Sequence, residues 1–283
     1  MTIWTELADV ELTLGYVDAG GLRTRTLRAG EGEPVVMLHG TSGHLEAFVR
    51  NIAVLHEHVA CHAIDMMGHG YTDSPGQPFR IPGYVQHVLD YLDAVGVERA
   101  HFIGESLGGW VSGRLAADHP DRVLSLTLVA PGGTVANPEV MERIKTSTRK
   151  AVLNDDIELT RQRLRLLMHD PVNATEELVQ VRHAVYHRPE FVSNVDNLLC
   201  LQEMENRTQD LLTAEQMSRI TAPTRIVWGA ENPFGDIPEA NAMQAAIPGS
   251  TLSIYPECGH WPQHEHAERF NKETLEFWVG LPR

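Results

Sequence analysis

The sequence is poor in cysteine, with only 3 in 283 residues, and it contains no CxxC pair. An odd and sparse set of cysteines predicts a reducing compartment, here the cytoplasm, and no disulfide framework. Cys258 lies two residues before His260, but such a cysteine is ordinarily a small core residue.

Positive charge is also scarce, because 23 Lys and Arg residues are set against 38 Asp and Glu residues, which gives a formal net charge of −15 at pH 7. Nucleic acids and anionic membrane surfaces are bound by clustered basic residues. The negative net charge therefore argues against nucleic acids and anionic membranes as partners, and it is typical of a soluble acidic protein.

Long apolar runs are missing as well. No stretch reaches the roughly 18 residues that read as a membrane span, and the acidic N-terminus lacks the basic start of a signal peptide. Apolar residues still make up 42% of the chain, which suffices for one large domain or a domain with an insertion. The sequence does not determine the oligomeric state, for which a homodimer is one candidate.

Short apolar runs typical of buried strands alternate with helical patterns in the first half of the chain. This alternation predicts an α/β fold, with a mostly parallel sheet and helices on both faces. The predicted strands are Glu11–Val17, Leu22–Arg28, Pro34–Leu38, Val59–Asp65, Ala100–Gly104 and Val123–Val129, and the predicted helices are Ile81–Val95 and Leu107–Ala117.

The pattern changes between residues 135 and 217, where no strand-like run occurs. We predict a helical cap there, inserted into a core made of residues 1–134 and 218–283. The cap helices are expected at Val140–Val152, Glu158–Met168 and Glu176–Tyr186, and the second core segment at strands Thr224–Trp228 and Thr251–Tyr255 and helix Ala267–Val279.

The strongest chemical signal is Gly104-Glu105-Ser106-Leu107-Gly108, a G-x-S-x-G motif between a predicted strand and a predicted helix. In this context the motif predicts a sharp turn that exposes the Ser106 hydroxyl at the carboxyl edge of the sheet. A serine hydroxyl needs a base to become a nucleophile. His260 follows the last predicted strand, and serine before a late histidine is the chain order of this motif's known triads.

The remaining histidines carry no comparable signal. His62, His101, His119 and His187 have no motif around them, and His264 and His266 match no standard metal-ligand spacing with His260. We therefore expect no metal and no cofactor. After Pro34–Leu38, the turn His39-Gly40-Thr41-Ser42 is expected to supply one oxyanion-hole amide, that of Thr41, and Leu107 the other.

The third member of the triad is open. An acid is expected a few residues after Thr224–Trp228, but Asn232 stands there. An asparagine oxygen can orient the imidazole without stabilising its charge. Either Asn232 serves in a slower site, or Glu231 or Asp236 reaches the histidine.

Taken together, these motifs resemble the α/β-hydrolase superfamily over nearly the whole chain, and most of all the meta-cleavage product hydrolases, which split carbon–carbon bonds in 2-hydroxy-6-oxo-dienoates. The stretches that carry the resemblance are Asp65–Gly70, the serine turn, Ala130–Gly133, Cys258–Trp261 and Phe270-Asn271. The resemblance implies that Arg182 holds the substrate carboxylate and that Trp261 lines the site, beside Gly40 and Glu105.

The sequence departs from that family at three places. Glu105 replaces the usual asparagine before the nucleophile, Thr41-Ser42-Gly43-His44 replaces a Gly-Pro-Gly stretch, and Asn232 replaces the acid. We expect a small carbonyl compound as substrate, most simply an acidic ring-cleavage product. A carboxylesterase or lactonase using the same residues is the alternative. A binding protein without turnover, suggested only by Asn232, is the alternative of another class.

Overall fold

Eight strands form one sheet in the computed structural model, which describes residues 3–281. The strand order is β1-β2-β4-β3-β5-β6-β7-β8. The β1–β2 and β2–β4 pairs are antiparallel, and all later pairs are parallel. The strands are β1 (Leu12–Ala19), β2 (Leu22–Ala29), β3 (Pro34–Leu38), β4 (Ala60–Ile64), β5 (Ala100–Glu105), β6 (Val123–Val129), β7 (Thr224–Gly229) and β8 (Thr251–Tyr255).

Helices cover both faces of this sheet. On one face α3 (Ile81–Ala94) and α4 (Leu107–Asp118) bury Tyr84, Tyr91 and Trp110, and on the other α2 (Val49–Leu55) and α14 (Ala267–Val279) bury Ile52 and Phe270. The predicted fold class is thereby confirmed. The core helices are α1 (Ile3–Glu6), α2 (Val49–Leu55), α3 (Ile81–Ala94), α4 (Leu107–Asp118), α12 (Ile237–Ala246), α13 (Pro262–Glu265) and α14 (Ala267–Val279).

A run of helices connects β6 to β7 and covers the carboxyl end of the sheet. Asn137 begins it by accepting hydrogen bonds from the amides of Glu139 and Val140, and Pro138 occupies the first helical turn, where its missing N–H costs nothing. The cap helices are α5 (Pro138–Leu153), α6 (Ile157–Arg165), α7 (Glu176–Tyr186), α8 (Pro189–Ser193), α9 (Val195–Leu198), α10 (Met204–Asp210) and α11 (Ala214–Ser218).

The largest error among the predicted boundaries concerns Glu158–Met168. The helix ends at Arg165, because the next residues turn so that the Leu167 carbonyl accepts the backbone N–H of His260 at 2.6 Å. Apolar periodicity continues through this turn and hides it. None of the helices in residues 3–281 is both long and apolar enough to cross a bilayer.

Candidate active site

Ser106 sits at the carboxyl end of β5 with φ 53° and ψ −110°, a left-handed conformation that is strained for a residue with a Cβ. The turn requires glycine at the neighbouring positions, because a larger residue there would clash with the backbone. A Cβ on Gly108 would lie 2.0 Å from the Leu38 carbonyl oxygen, and one on Gly104 would lie 2.4 Å from the Gly108 oxygen. The motif therefore has a steric basis, and its strain presents the serine at the edge of the sheet.

The His260 ring lines the same cavities as Ser106 and is oriented by Asn232. Its Nδ1 is 2.9 Å from Asn232 Oδ1, which also accepts the Phe234 backbone N–H at 3.1 Å. That second donor identifies this atom as the oxygen, so Nδ1 carries the proton and Nε2 carries the lone pair. The Phe234 ring meets the imidazole edge-on, with ring centroids 4.9 Å apart. His260 is thus held in the tautomer that a general base requires.

Glu105 is the unexpected neighbour of the histidine. Its Oε1 lies 3.2 Å from His260 Nε2, and its side chain is 1% exposed. Burial raises the pKa of Glu105 to about 8, against the opposing effects of the Gly40 backbone, Arg182 and Arg163. Burial, together with the Arg163 charge, lowers the pKa of His260 to about 3. Near pH 7 both groups are therefore uncharged.

Two cavities meet at Ser106. The smaller is called the basic compartment because it contains two arginines. The larger is called the apolar compartment, although Arg207 and Glu239 also border it. Both are lined by Thr41, Ser106, Ile144, Phe234 and His260; the basic one adds Glu105, Arg163, Arg182 and Trp261, and the apolar one Leu107, Trp110, Val140, Leu201 and Trp228.

Within residues 3–281, the two arginines of the basic compartment are buried and form no ion pair with a carboxylate. Arg163, from α6, is 5% exposed and donates from Nε to Thr148 Oγ1 at 3.2 Å. Arg182, from α7, is 1% exposed and donates to the Ser42 carbonyl at 2.7 Å. Among the described residues, Arg163 Nη1 and Arg182 Nε and Nη2 have no hydrogen-bond partner. Buried donors of this kind are costly unless an acceptor fills the space between them.

This combination of turn, base and cavity has clear counterparts. A family model described as alpha/beta hydrolase fold matches residues 33–267. The chain belongs to the α/β-hydrolase family. Within it, the chain is 31% identical to the 2-hydroxy-6-oxo-6-phenylhexa-2,4-dienoate hydrolase of Burkholderia cepacia, with 94% of each chain covered. It is 32% identical, with the same coverage, to the 2-hydroxy-6-oxononadienedioate/2-hydroxy-6-oxononatrienedioate hydrolase of Comamonas testosteroni.

A solved structure agrees with these relatives. The meta-cleavage product hydrolase of Pseudomonas fluorescens IP01 superimposes with a TM-score of 0.82 at 25% identity, over 93% of this chain and 97% of that one. The resemblance read from the motifs is therefore confirmed, and this α/β hydrolase is an enzyme of the family that contains the meta-cleavage product hydrolases.

The three candidates for the triad acid occupy different places in this hydrolase. Only Asn232 contacts the histidine. Glu231 turns away and accepts the backbone N–H of Cys258 at 2.9 Å, and Asp236 caps the N-terminus of α12 by accepting the Glu239 N–H. Neither carboxylate is within hydrogen-bonding distance of His260, so the imidazole is oriented here by an uncharged oxygen.

Hydrogen bonds from residues of the cap hold the turn after β3 in place. Ser42, at φ 59°, offers its carbonyl to Arg182 and its hydroxyl to the Tyr186 hydroxyl at 2.9 Å. A Cβ on Gly40 would lie 2.5 Å from Glu105 Oε2, so a larger residue there would displace that carboxyl. Thr41 and Leu107, the residues predicted to form the oxyanion hole, both line the cavity that Ser106 borders.

Sequence reasoning missed two residues of the site. Arg163 is one of the buried residues of α6, with Thr160 and Leu164, and a charged residue on a buried helix face is the signal that could have found it. Tyr186 lies one turn after Arg182 on α7 and was missed because a buried tyrosine on a helix is ordinarily core. The three cysteines are all buried and free.

Proposed function

We propose that this hydrolase cleaves a carbon–carbon bond in acidic ring-cleavage products of the 2-hydroxy-6-oxo-dienoate type. The observation that carries the proposal is the position of Ser106 at the junction of the basic and apolar compartments. Such a substrate has a carboxylated head, a carbonyl carbon a few bonds away and a tail beyond it. The free, buried cysteines support a cytoplasmic location.

The basic compartment suits the head of this substrate. Arg182 and Arg163 carry free N–H groups and no paired carboxylate, so a substrate carboxylate and the neighbouring 2-oxygen would satisfy donors that are otherwise buried and unpartnered. A neutral ester offers no such charge. The arginines therefore favour the dienoate over a simple ester, and the apolar compartment accepts the group on the other side of the carbonyl.

The proposed reaction uses the serine as nucleophile. After ketonisation of the dienol, His260 Nε2 takes the Ser106 proton while Oγ bonds to the carbonyl carbon, whose oxygen is held by the Thr41 and Leu107 amides. The carbon–carbon bond then breaks, and the leaving carbon takes the proton from His260. Water, activated by the same histidine, releases the acyl group from Ser106.

Replacing either arginine of the basic compartment should lower the hydrolysis of a dienoate more than the hydrolysis of an uncharged ester. Arg163→Gln and Arg182→Gln are each expected to lower kcat/KM for a dienoate by about 10- to 100-fold, because a charged hydrogen bond contributes about 1.5–3 kcal/mol. Hydrolysis of an uncharged nitrophenyl ester should change far less. Steady-state kinetics with both substrates measure the difference.

Arg165→Gln is the matched control, since this exposed arginine lies on the same helix and outside the cavity. Equal losses on both substrates would assign the arginines to folding rather than to an anion, and would favour the esterase or lactonase function. Undetectable turnover of every substrate, with ligand binding retained, would favour a binding protein.

A further inference from the structure

We infer that Glu105 shares a proton with His260 and supplies, from the Nε2 side, the negative charge that Asn232 does not supply from the Nδ1 side. This inference rests on the proposed serine mechanism and adds a role for the residue before the nucleophile. Its geometric basis is the 3.2 Å approach of Glu105 Oε1 to His260 Nε2.

The hydrogen bonds around His260 leave Nε2 without a proton. Asn232 Oδ1 accepts from Phe234 N–H and from Nδ1, so the neutral ring presents a lone pair at Nε2. A carboxylate oxygen facing this lone pair at 3.2 Å would be repelled, and one proton between the two atoms removes the repulsion. The Gly40 backbone and the Trp261 side chain lie close enough to this carboxyl to favour its ionised form, and Oε1 is the oxygen that faces Nε2.

The charged surroundings decide where that proton sits. The ionisable groups facing Glu105 are His260, Arg163 from α6 and Arg182 from α7. Burial keeps the proton on Glu105 at neutral pH and leaves His260 neutral. In this state the glutamic acid occupies the lone pair that must receive the Ser106 proton, so the base is blocked.

Loss of that proton produces the working form. With Glu105 ionised and His260 neutral, Nε2 takes the proton from Ser106 Oγ as the Oγ–carbon bond forms, and the new imidazolium lies 3.2 Å from the carboxylate. The same proton then passes to the leaving carbon. Glu105 gains and loses no proton during the cycle and acts as the counter-charge of the imidazolium.

The test is the pH profile of kcat/KM for wild type, Glu105→Gln and Glu105→Asp. The wild-type rate should rise with pH through an apparent pKa near the value of about 8 that burial gives Glu105. In Glu105→Gln that rise should vanish, and the plateau rate should fall by about tenfold or more, since the imidazolium loses its counter-charge. Glu105→Asp should restore a titrating limb.

Both a dienoate and an uncharged ester are used as substrates. The pH profile on the ester tests the role of Glu105 even if the dienoate is not turned over. Failure of the proposed dienoate activity can therefore be distinguished from failure of the role of Glu105. An unchanged alkaline limb in Glu105→Gln, on either substrate, would overturn the role of Glu105, because a residue that only supports the fold does not set a titration.

A second observation, in the cap, assigns a metal site. We propose that His183, His187, Asp155 and the Asn154 carbonyl bind a divalent transition-metal ion such as Zn²⁺. The side-chain ligand atoms of Asp155, His183 and His187 all lie within 4.8 Å of one another. The two histidines are four residues apart, His183 in the last turn of α7 and His187 at its C-cap, a spacing that brings two imidazoles to one helix face.

Both ring nitrogens of His187 face carbonyl oxygens, an arrangement that favours a cation beside the ring. Its Nδ1 lies 2.8 Å from the His183 carbonyl and its Nε2 lies 3.0 Å from the Asn154 carbonyl. Carbonyl oxygens only accept, so a neutral imidazole leaves one lone pair facing an oxygen. Either a second proton or a metal ion at Nε2 resolves this contact.

The other ligands are arranged to favour the metal. His183 Nε2 lies 3.2 Å from Asp155 Oδ1, while the Thr160 hydroxyl, 3.1 Å from Nδ1, can accept the other ring proton. Two ligands of a tetrahedral zinc ion stand about 3.3–3.5 Å apart, close to the spacings of both nitrogen–oxygen pairs. Hydrogen-bonded Nδ1 atoms orient the imidazoles as metal-binding histidines usually are. Because α7 also carries Arg182 and Tyr186, the ion would tie the helix of the basic compartment to the turn after α5.

Calorimetric titration of ZnCl₂ into the chelator-treated full chain tests the site. One ion should bind per chain, the affinity should fall as pH is lowered through imidazole protonation, and His183→Ala and His187→Ala should each weaken binding by about tenfold or more. His58→Ala, at an exposed histidine outside the cap, is the matched control. Absence of one-to-one binding, or binding by the two cap variants as tight as that of the wild type, would overturn the site.

Discussion

Alanine in place of Ser106 is expected to lower kcat for the dienoate by about 10⁴-fold or more, as the loss of a serine nucleophile does in other triads. The substitution removes the atom that bonds to the carbonyl carbon and leaves both compartments intact. Substrate binding should therefore persist, and calorimetry with the inactive variant measures it directly. Intact-protein mass spectrometry should find an acyl adduct on the wild type and none on the variant.

Ser218→Ala is the control, because this exposed serine lies in α11. A Ser106→Ala variant that keeps its rate within about tenfold would contradict the serine mechanism, since the remaining route is water activated directly by His260. A variant that neither binds nor unfolds cooperatively would instead show that the strained turn at φ 53° needs the serine for its structure.

Aspartate in place of Asn232 is expected to raise kcat by about tenfold or more. The wild-type oxygen orients His260 without charge, whereas a carboxylate at the same 2.9 Å contact also stabilises the imidazolium. In a serine protease the reverse exchange costs about 10⁴-fold, chiefly through the wrong tautomer, which Phe234 N–H already prevents here. The gain should therefore fall well short of that figure.

The effect of Asn232→Asp depends on whether Glu105 is present. Asn232→Asp should raise kcat more when it is introduced into Glu105→Gln than when it is introduced into the wild type. One nearby carboxylate is enough to balance the imidazolium, so the effects of the two substitutions are not additive. Steady-state kcat for the four combinations, with melting temperatures as the control, completes the cycle. A fall in kcat in both backgrounds would contradict the idea that the site lacks charge at Nδ1.

The nucleophile and the base were predictable because local sequence determines them. Gly104 and Gly108 are needed by contacts within the turn and with β3, so the motif and its flanking strand and helix suffice to place Ser106. His260 follows from chain order once the sheet is predicted. Asn232 was one of three open candidates, because a loop containing proline and glycine has no pattern that predicts its path.

The partners of the site were not predictable, because contacts between distant segments determine them. Glu105 meets His260 although 154 residues lie between them in the sequence. Arg163 enters the cavity only because the cap folds back over the sheet. Helical periodicity predicted three of the seven α-helices described in the cap, α5, α6 and α7. It did not predict the end of α6, where the following turn satisfies a backbone N–H of another segment. Local patterns carry no information about such pairings.

That turn after α6 also limits how the active site can open. Leu167 accepts from His260 N–H, Glu265 accepts from His169 N–H at 2.7 Å, and the His264 ring contacts the Asn173 carbonyl at 3.0 Å. The cap is thus fastened to the segment that carries the base. Lifting this edge of the cap to admit substrate would displace His260 itself, so the contacts that hold the base also hold this edge closed.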